Sequence, residues 1–149
     1  MKPTEITVLL VEDDSIDVMN VQRAFSKNNI TYPLHIAHNG IEALNLLRGT
    51  NGKPRMPLPK VVLLDINMPR VSGFDVLGAM KSDPALCMIP VVMLAGTLDP
   101  QKVQKSYELG ANAHLVKPVN FGRFADFVRT LGDFWLTMNE SPAASVRRS

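Results

Sequence analysis

The chain has 149 residues, enough for one domain with a real hydrophobic core and too few for two ordinary ones. Charged residues make up 20% and the formal net charge is +2, which gives no electrostatic case for nucleic acid or an anionic membrane as the main partner. The single cysteine, Cys87, excludes an internal disulfide; flanked by Leu86, Met88 and Ile89, with no His or second Cys at ligand spacing, it reads as a packing residue in a reducing compartment.

Residues 1–5 lack the charged-then-apolar pattern of an export signal, and no apolar run approaches the ~20 residues of a membrane span, so a cytoplasmic location is expected. Ile6–Val11 is the first of four short apolar runs suited to strands covered on both faces. The others are Val61–Leu64, Ile89–Leu94 and Ala113–Val116. A weaker fifth run, Leu34–Ala37, fits a strand nearer a sheet edge. Segments with helical spacing separate the runs, among them Val18, Val21, Ala24 and Phe25, then Ile41, Leu44 and Leu47. Asn39 with Glu42 has capping-box spacing, Asp99-Pro100 starts a helix, and Gly110 ends it. Gly49–Pro59 reads as the one long loop. From the N-cap Asn120, apolar residues recur every three or four positions through Phe121, Phe124, Phe127, Leu131, Phe134 and Met138, which predicts a long amphipathic last helix.

Strand and helix thus alternate, which implies a doubly wound α/β fold: a five-stranded parallel sheet of flavodoxin-like order 2-1-3-4-5 with an extended C-terminal helix. The domain is expected over residues 1–140, with residues 141–149 as a disordered tail. In this architecture ligands bind beyond the carboxyl ends of the strands, where strand order reverses. The first run leads into Glu12-Asp13-Asp14, the third strand into Asp65, and the fifth into Lys117-Pro118. Each of these alone is explained by a helix cap, a turn or a solvated charge. Their joint occurrence at the ends of three strands points to a site.

The segments VLLVEDD, VVLLDINMP followed by SG, and HLVKP resemble the landmarks of two-component receiver domains, over roughly Ile6 to Leu131. The chain is similar most of all to the small stand-alone receivers that serve phytochrome-type histidine kinases, which share the long loop before the third strand and an ending like Phe134-Trp135-Leu136. The resemblance implies a phosphohistidine donor on a sensor histidine kinase and Asp65 as phospho-acceptor, in a chain that is not otherwise an enzyme. It implies Mg2+ held by Asp13, Asp65 and the Asn67 backbone carbonyl, with Glu12 acting through water. It assigns Lys117 an ion pair with Asp65, and a cis bond to Pro118. Asp14 and Asp17 fall outside the matching pair and are read as charges favoured by the helix dipole.

Two positions depart from the family's pattern. Ala95 stands where a receiver has the Thr or Ser whose hydroxyl binds the phosphoryl group. The Gly96 N–H or the Thr97 hydroxyl could compensate. His114 replaces the usual aromatic partner and either turns inward or stays at the surface. His35 and His38 show no third metal ligand and are read as surface residues. The aromatic ending, with Phe127, Phe134, Trp135 and Leu136, leaves apolar side chains on more than one helix face, which suggests a homodimer through the fourth helix, fifth strand and fifth helix. Two other functions fit the fold: a degenerate receiver that docks or dimerises without phosphorylation, supported by Ala95, and a flavodoxin-like cofactor binder. The acidic Glu12-Asp13-Asp14 opposes the second, because a flavin phosphate would be repelled there.

Overall fold

The computed structural model describes residues 6–49, 54–118 and 120–138. Five strands, β1 (Val8–Val11), β2 (Leu34–Ala37), β3 (Val61–Asp65), β4 (Val91–Ala95) and β5 (Ala113–Val116), alternate with α1 (Ser15–Lys27), α2 (Gly40–Arg48), α3 (Gly73–Lys81), α4 (Pro100–Glu108) and α5 (Phe121–Leu131). All neighbouring strands pair in parallel, in the expected order β2-β1-β3-β4-β5.

The alternation of side chains along each central strand divides the core into two layers. Leu9, Val11, Val62, Leu64, Met93 and Ala95 face Ala43 and Leu47 of α2 and Val76, Leu77 and Met80 of α3. Val8, Leu10, Val61, Leu63, Val92 and Leu94 face Val18, Val21 and Phe25 of α1 and Phe124 and Val128 of α5. A fully buried β1, β3 and β4 requires the unbroken apolar runs seen in the sequence.

Some boundaries differ from the sequence reading. β4 begins at Val91, not Ile89, because Pro90 has no N–H for the ladder; its carbonyl accepts from Val62 N instead. β1 begins at Val8, and β3 extends to Asp65, so the acidic residue is the last of its strand. Asn39 caps α2 through Glu42 N at 2.8 Å, but the Glu42 carboxylate accepts from His38 N, so the reciprocal half of the box is displaced by one residue. The complete capping box lies at Ser72 and Asp75, at the head of α3. Asp99 and Asn120 cap α4 and α5 as expected. Beyond α5 the chain continues as a π-helical segment, Gly132–Met138. Residues 50–53 of the long loop and the proposed tail 141–149 lie outside the described residues.

The extended ending is more fully packed than expected. Leu136 is buried in the core layer beside Val8 and Val61, and Phe127 and Trp135 are half-buried against the same layer. Of the four residues assigned to an interface, only Phe134 is exposed, at 49%, its ring edge-on to Trp135. The correction has a simple cause: Val128, Gly132 and Leu136 recur every fourth residue and keep one helix face on the sheet past Leu131.

The start of α3 is pressed onto the end of β3. A Cβ on Gly73 would lie 2.3 Å from the Asp65 carbonyl oxygen and 2.9 Å from Ile66 Cα, so only glycine allows this approach. Gly73→Ala is expected to lower stability by about 1–3 kcal/mol in urea denaturation, because backbone must move. Gly78→Ala, in the interior of the same helix with nothing within 4 Å of the added carbon, is expected to raise stability by about 0.5–1 kcal/mol.

Candidate phosphoryl-acceptor and metal site

The parallel register brings three strand ends level. Val11 pairs with Leu64, and Asp65 with Leu94, so Glu12 and Asp13 leave β1 beside Asp65 at the end of β3. One carboxylate oxygen from each of Glu12, Asp13 and Asp65 lies within 4.8 Å of the others. Asp13 is exposed, whereas Glu12 and Asp65 are buried, at 2% and 5% exposure. Asp14 takes no part; its side chain caps α1 by accepting from Ile16 N and Asp17 N.

Lys117 supplies the opposing charge from the end of β5. Its backbone N–H donates to Ala95 O at 2.8 Å, which ties the residue to β4. Its Nζ lies 2.9 Å from Glu12 Oε1 and 2.7 Å from Asp17 Oδ2, but 3.7 Å from Asp65 Oδ1. The expected ion pair with Asp65 is present at the longest of the three distances, and Glu12 and Asp17 hold the ammonium more closely. Asp17, read from sequence as a dipole charge alone, belongs to the site. Its sequence position gave no signal of this, because an acidic residue in the first turn of α1 is explained by the helix dipole alone.

The expected cis bond before Pro118 is also corrected. The described residues contain no cis peptide bond, so Lys117-Pro118 is trans. Trans is the favoured isomer even before proline, and the long lysine stem reaches the carboxylates from it.

Burial dominates the protonation of the cluster. Glu12 is pushed up to about 8 by loss of solvent, with the Lys117 hydrogen bond opposing and the neighbouring Asp65 reinforcing the rise. Asp65 is raised for the same first reason, burial, which its contacts with Glu12 and Lys117 only partly offset. Lys117 is raised, its hydrogen bonds to Asp17 and Glu12 outweighing its own burial. One ammonium is too little charge for these carboxylates. Glu12 Oε2 is moreover buried without any hydrogen-bond partner. A hard divalent cation with oxygen ligands fits both facts, and it is the only His, Cys, Asp and Glu grouping of metal-binding dimensions among the described residues. His35 and His38 do not join one; His38 pairs with Glu42 at the surface.

Ala95 is buried at the end of β4, and Gly96 and Thr97 after it are exposed. His114, on β5, turns toward α4: its Nδ1 lies 2.8 Å from the Ser106 Oγ, and its Nε2 is buried without a partner. Burial lowers its pKa. This interior contact resolves the alternatives left open by the sequence. Two further contacts were not foreseen: Lys102 Nζ donates to Asn67 Oδ1 at 3.2 Å, and the Lys105 ammonium lies 4.8 Å from the Phe74 ring centre.

The raised Glu12 has a consequence for stability. Between about 4.5 and about 8 the folded chain retains a proton that the unfolded chain has released, so rising pH favours unfolding. The metal-free protein is expected to lose stability across that window, with Glu12 alone contributing at most about 1.4 kcal/mol per pH unit. Thermal unfolding followed across the window measures it, and Glu12→Gln should flatten the slope.

The response regulator receiver domain family matches residues 8–129. The chain is 35% identical over 135 residues to the probable methanogenesis regulatory protein FilR2 of Methanothrix harundinacea (strain 6Ac), covering 91% of this chain and 86% of that protein. It is 35% identical over 137 residues to response regulator Rcp1 of Synechocystis sp., covering 92% and 93%. The crystal structure of Mn2+-bound Rcp1 matches with a TM-score of 0.82 at 34% identity, over 92% of this chain and 99% of that one. That of the phosphorylated cyanobacterial phytochrome response regulator RcpA matches with a TM-score of 0.83 at 30% identity, over 93% and 99%. With its acidic cluster and lysine at the ends of the strands that such a fold requires, the chain belongs to the response regulator receiver domain family.

Proposed function

We propose that this chain is a phosphorelay response regulator that takes a phosphoryl group from a sensor histidine kinase onto Asp65. The observation that carries the reading is the meeting of Glu12, Asp13 and Asp65 within 4.8 Å, with the Lys117 ammonium 3.7 Å from the acceptor. An Asp65 oxygen attacks the phosphorus of a phosphohistidine; the O–P bond forms, the P–N bond breaks, and the electron pair returns to the imidazole nitrogen, which takes up a proton. Lys117 offers a fixed positive charge to the oxygens that gain negative charge. Mg2+, when bound, supplies the charge that lets an anionic phosphoryl group approach the carboxylates; Asp13, Asp65 and the Asn67 carbonyl would hold it, with Glu12 acting through water. Likeness to RcpA supports a phytochrome-type kinase as donor.

Ala95 favours a second reading, a receiver that docks or dimerises without a phosphate-driven switch. Its methyl cannot donate the hydrogen bond, worth about 1.5–3 kcal/mol to a charged group, that a hydroxyl would supply. Incubation with acetyl phosphate and Mg2+ separates the two. The first reading expects a labile adduct of one phosphoryl mass that disappears in Asp65→Asn; an unmodified wild-type chain supports the second.

Homodimerisation completes the proposal. Leu98, Tyr107 and Val116 are exposed around α4 and β5, as is Phe134 beyond α5. Apolar side chains at a surface of this kind suit a self-complementary contact. Static light scattering in the micromolar range is expected to give a dimer, and Tyr107→Ser with Phe134→Ser to weaken it about tenfold or more, the loss from two such side chains in an interface. A monomer throughout that range would remove this part.

A further inference from the structure

Lys102 is an ammonium with a poor partner. It sits in the first turn of α4, half-buried, and donates to the neutral side-chain oxygen of Asn67. Among the described residues no carboxylate lies within 4.0 Å of it. An ammonium gains more from an anion than from an amide oxygen, and Asn67 is two residues beyond Asp65 on the same strand exit. The nearest lysine on the helix, Lys105, already covers the Phe74 ring, so two side chains one turn apart reach from α4, one to Asn67 after β3 and the other to α3. The end of β4 lies beside Asp65, which pairs with Leu94, and there Ala95 offers only a methyl group.

Resting on the phosphoryl-acceptor reading above, we infer that Lys102 contacts the phosphoryl group of phosphorylated Asp65, supplying from α4 the donor that Ala95 cannot. The lysine stem is flexible, and the anion draws it from Asn67 Oδ1 to a phosphoryl oxygen. No bond is made or broken in this exchange; a neutral acceptor is replaced by a charged one. The same turn carries the consequence outward. Ser106 Oγ donates to the Lys102 carbonyl at 2.8 Å and lies 2.8 Å from His114 Nδ1. Since the hydroxyl has one proton and Lys102 O takes it, Nδ1 carries the imidazole proton and donates to Ser106. The Lys102 backbone is thus tied to β5 through a single residue, Ser106.

Titration of the full chain with beryllofluoride, a phosphoryl mimic, in saturating Mg2+ tests this by calorimetry. Lys102→Met is expected to weaken mimic binding about tenfold, the loss of one charge-assisted hydrogen bond at a half-exposed group. Lys102→Arg should retain most of the affinity. Mg2+ binding without the mimic should not fall in Lys102→Met, whereas a lysine that merely steadied the Asn67 segment would lower Mg2+ and mimic affinity together. Equal mimic affinity in wild type and Lys102→Met, or a parallel loss of both ligands, overturns the inference and leaves Asp65 as acceptor. A wild-type chain that takes no mimic overturns both.

Discussion

The Lys117 ammonium is the charge on which the rest of the site depends. Two carboxylates, Glu12 and Asp65, are taken out of water at the ends of adjacent strands, and each would otherwise lose several kcal/mol of hydration with no return. Lys117 meets Glu12 and Asp17 within hydrogen-bond distance and Asp65 at slightly longer range. It is itself held by the β4–β5 ladder through Ala95 O, so its position is set by the sheet and not by the carboxylates alone. Burial, which this ammonium only partly offsets, leaves the pair at Glu12 and Asp65 avid for a proton or a cation. Proton affinity and cation affinity are two expressions of one unmet electrostatic demand.

That demand exists only because the strand register is fixed. Leu9 and Val11 face one layer of the core, Val8 and Leu10 the other, and a slip of one residue would exchange the layers along the strand. The same slip would carry Glu12 and Asp13 away from Asp65. Packing thus does the positioning, and Gly73 refines it by letting the head of α3 rest against the Asp65 carbonyl. The acidic residues contribute little to holding the fold and depend on it entirely.

The fold was legible because its signals are local. β2 and β5 have the bounds that the apolar runs predict, and Asp14, Asp99 and Asn120 cap the helices they precede. The meeting of Glu12, Asp13, Asp65 and Lys117 was legible too, since parallel strand ends must converge. What escaped depends on tertiary distance. Asp17 satisfies a helix dipole whether or not an ammonium stands opposite, so its sequence position carries no sign of Lys117. Leu136 continues a face that sequence can assign to core or partner alike, and only the sheet beneath it decides. The isomer at Pro118 was carried over from resemblance, not from any residue of this chain, and the trans backbone serves the same lysine.

Among the five main helices, α4 is the one that packing secures least. α1, α2, α3 and α5 each bury two or more apolar side chains, whereas the buried residue of α4 is Ser106, a polar one. The helix is kept in place by Asp99 at its cap, by lysine contacts to Asn67 and Phe74, and by the Ser106–His114 hydrogen bond. Polar contacts of this sort can be exchanged for others at a cost near zero, while an apolar interface must first be opened to water. The unpartnered Nε2 of His114 adds to this, because one side of the contact is already incompletely satisfied. A charge placed on Asp65 by the proposed phosphorylation would meet its smallest resistance at α4.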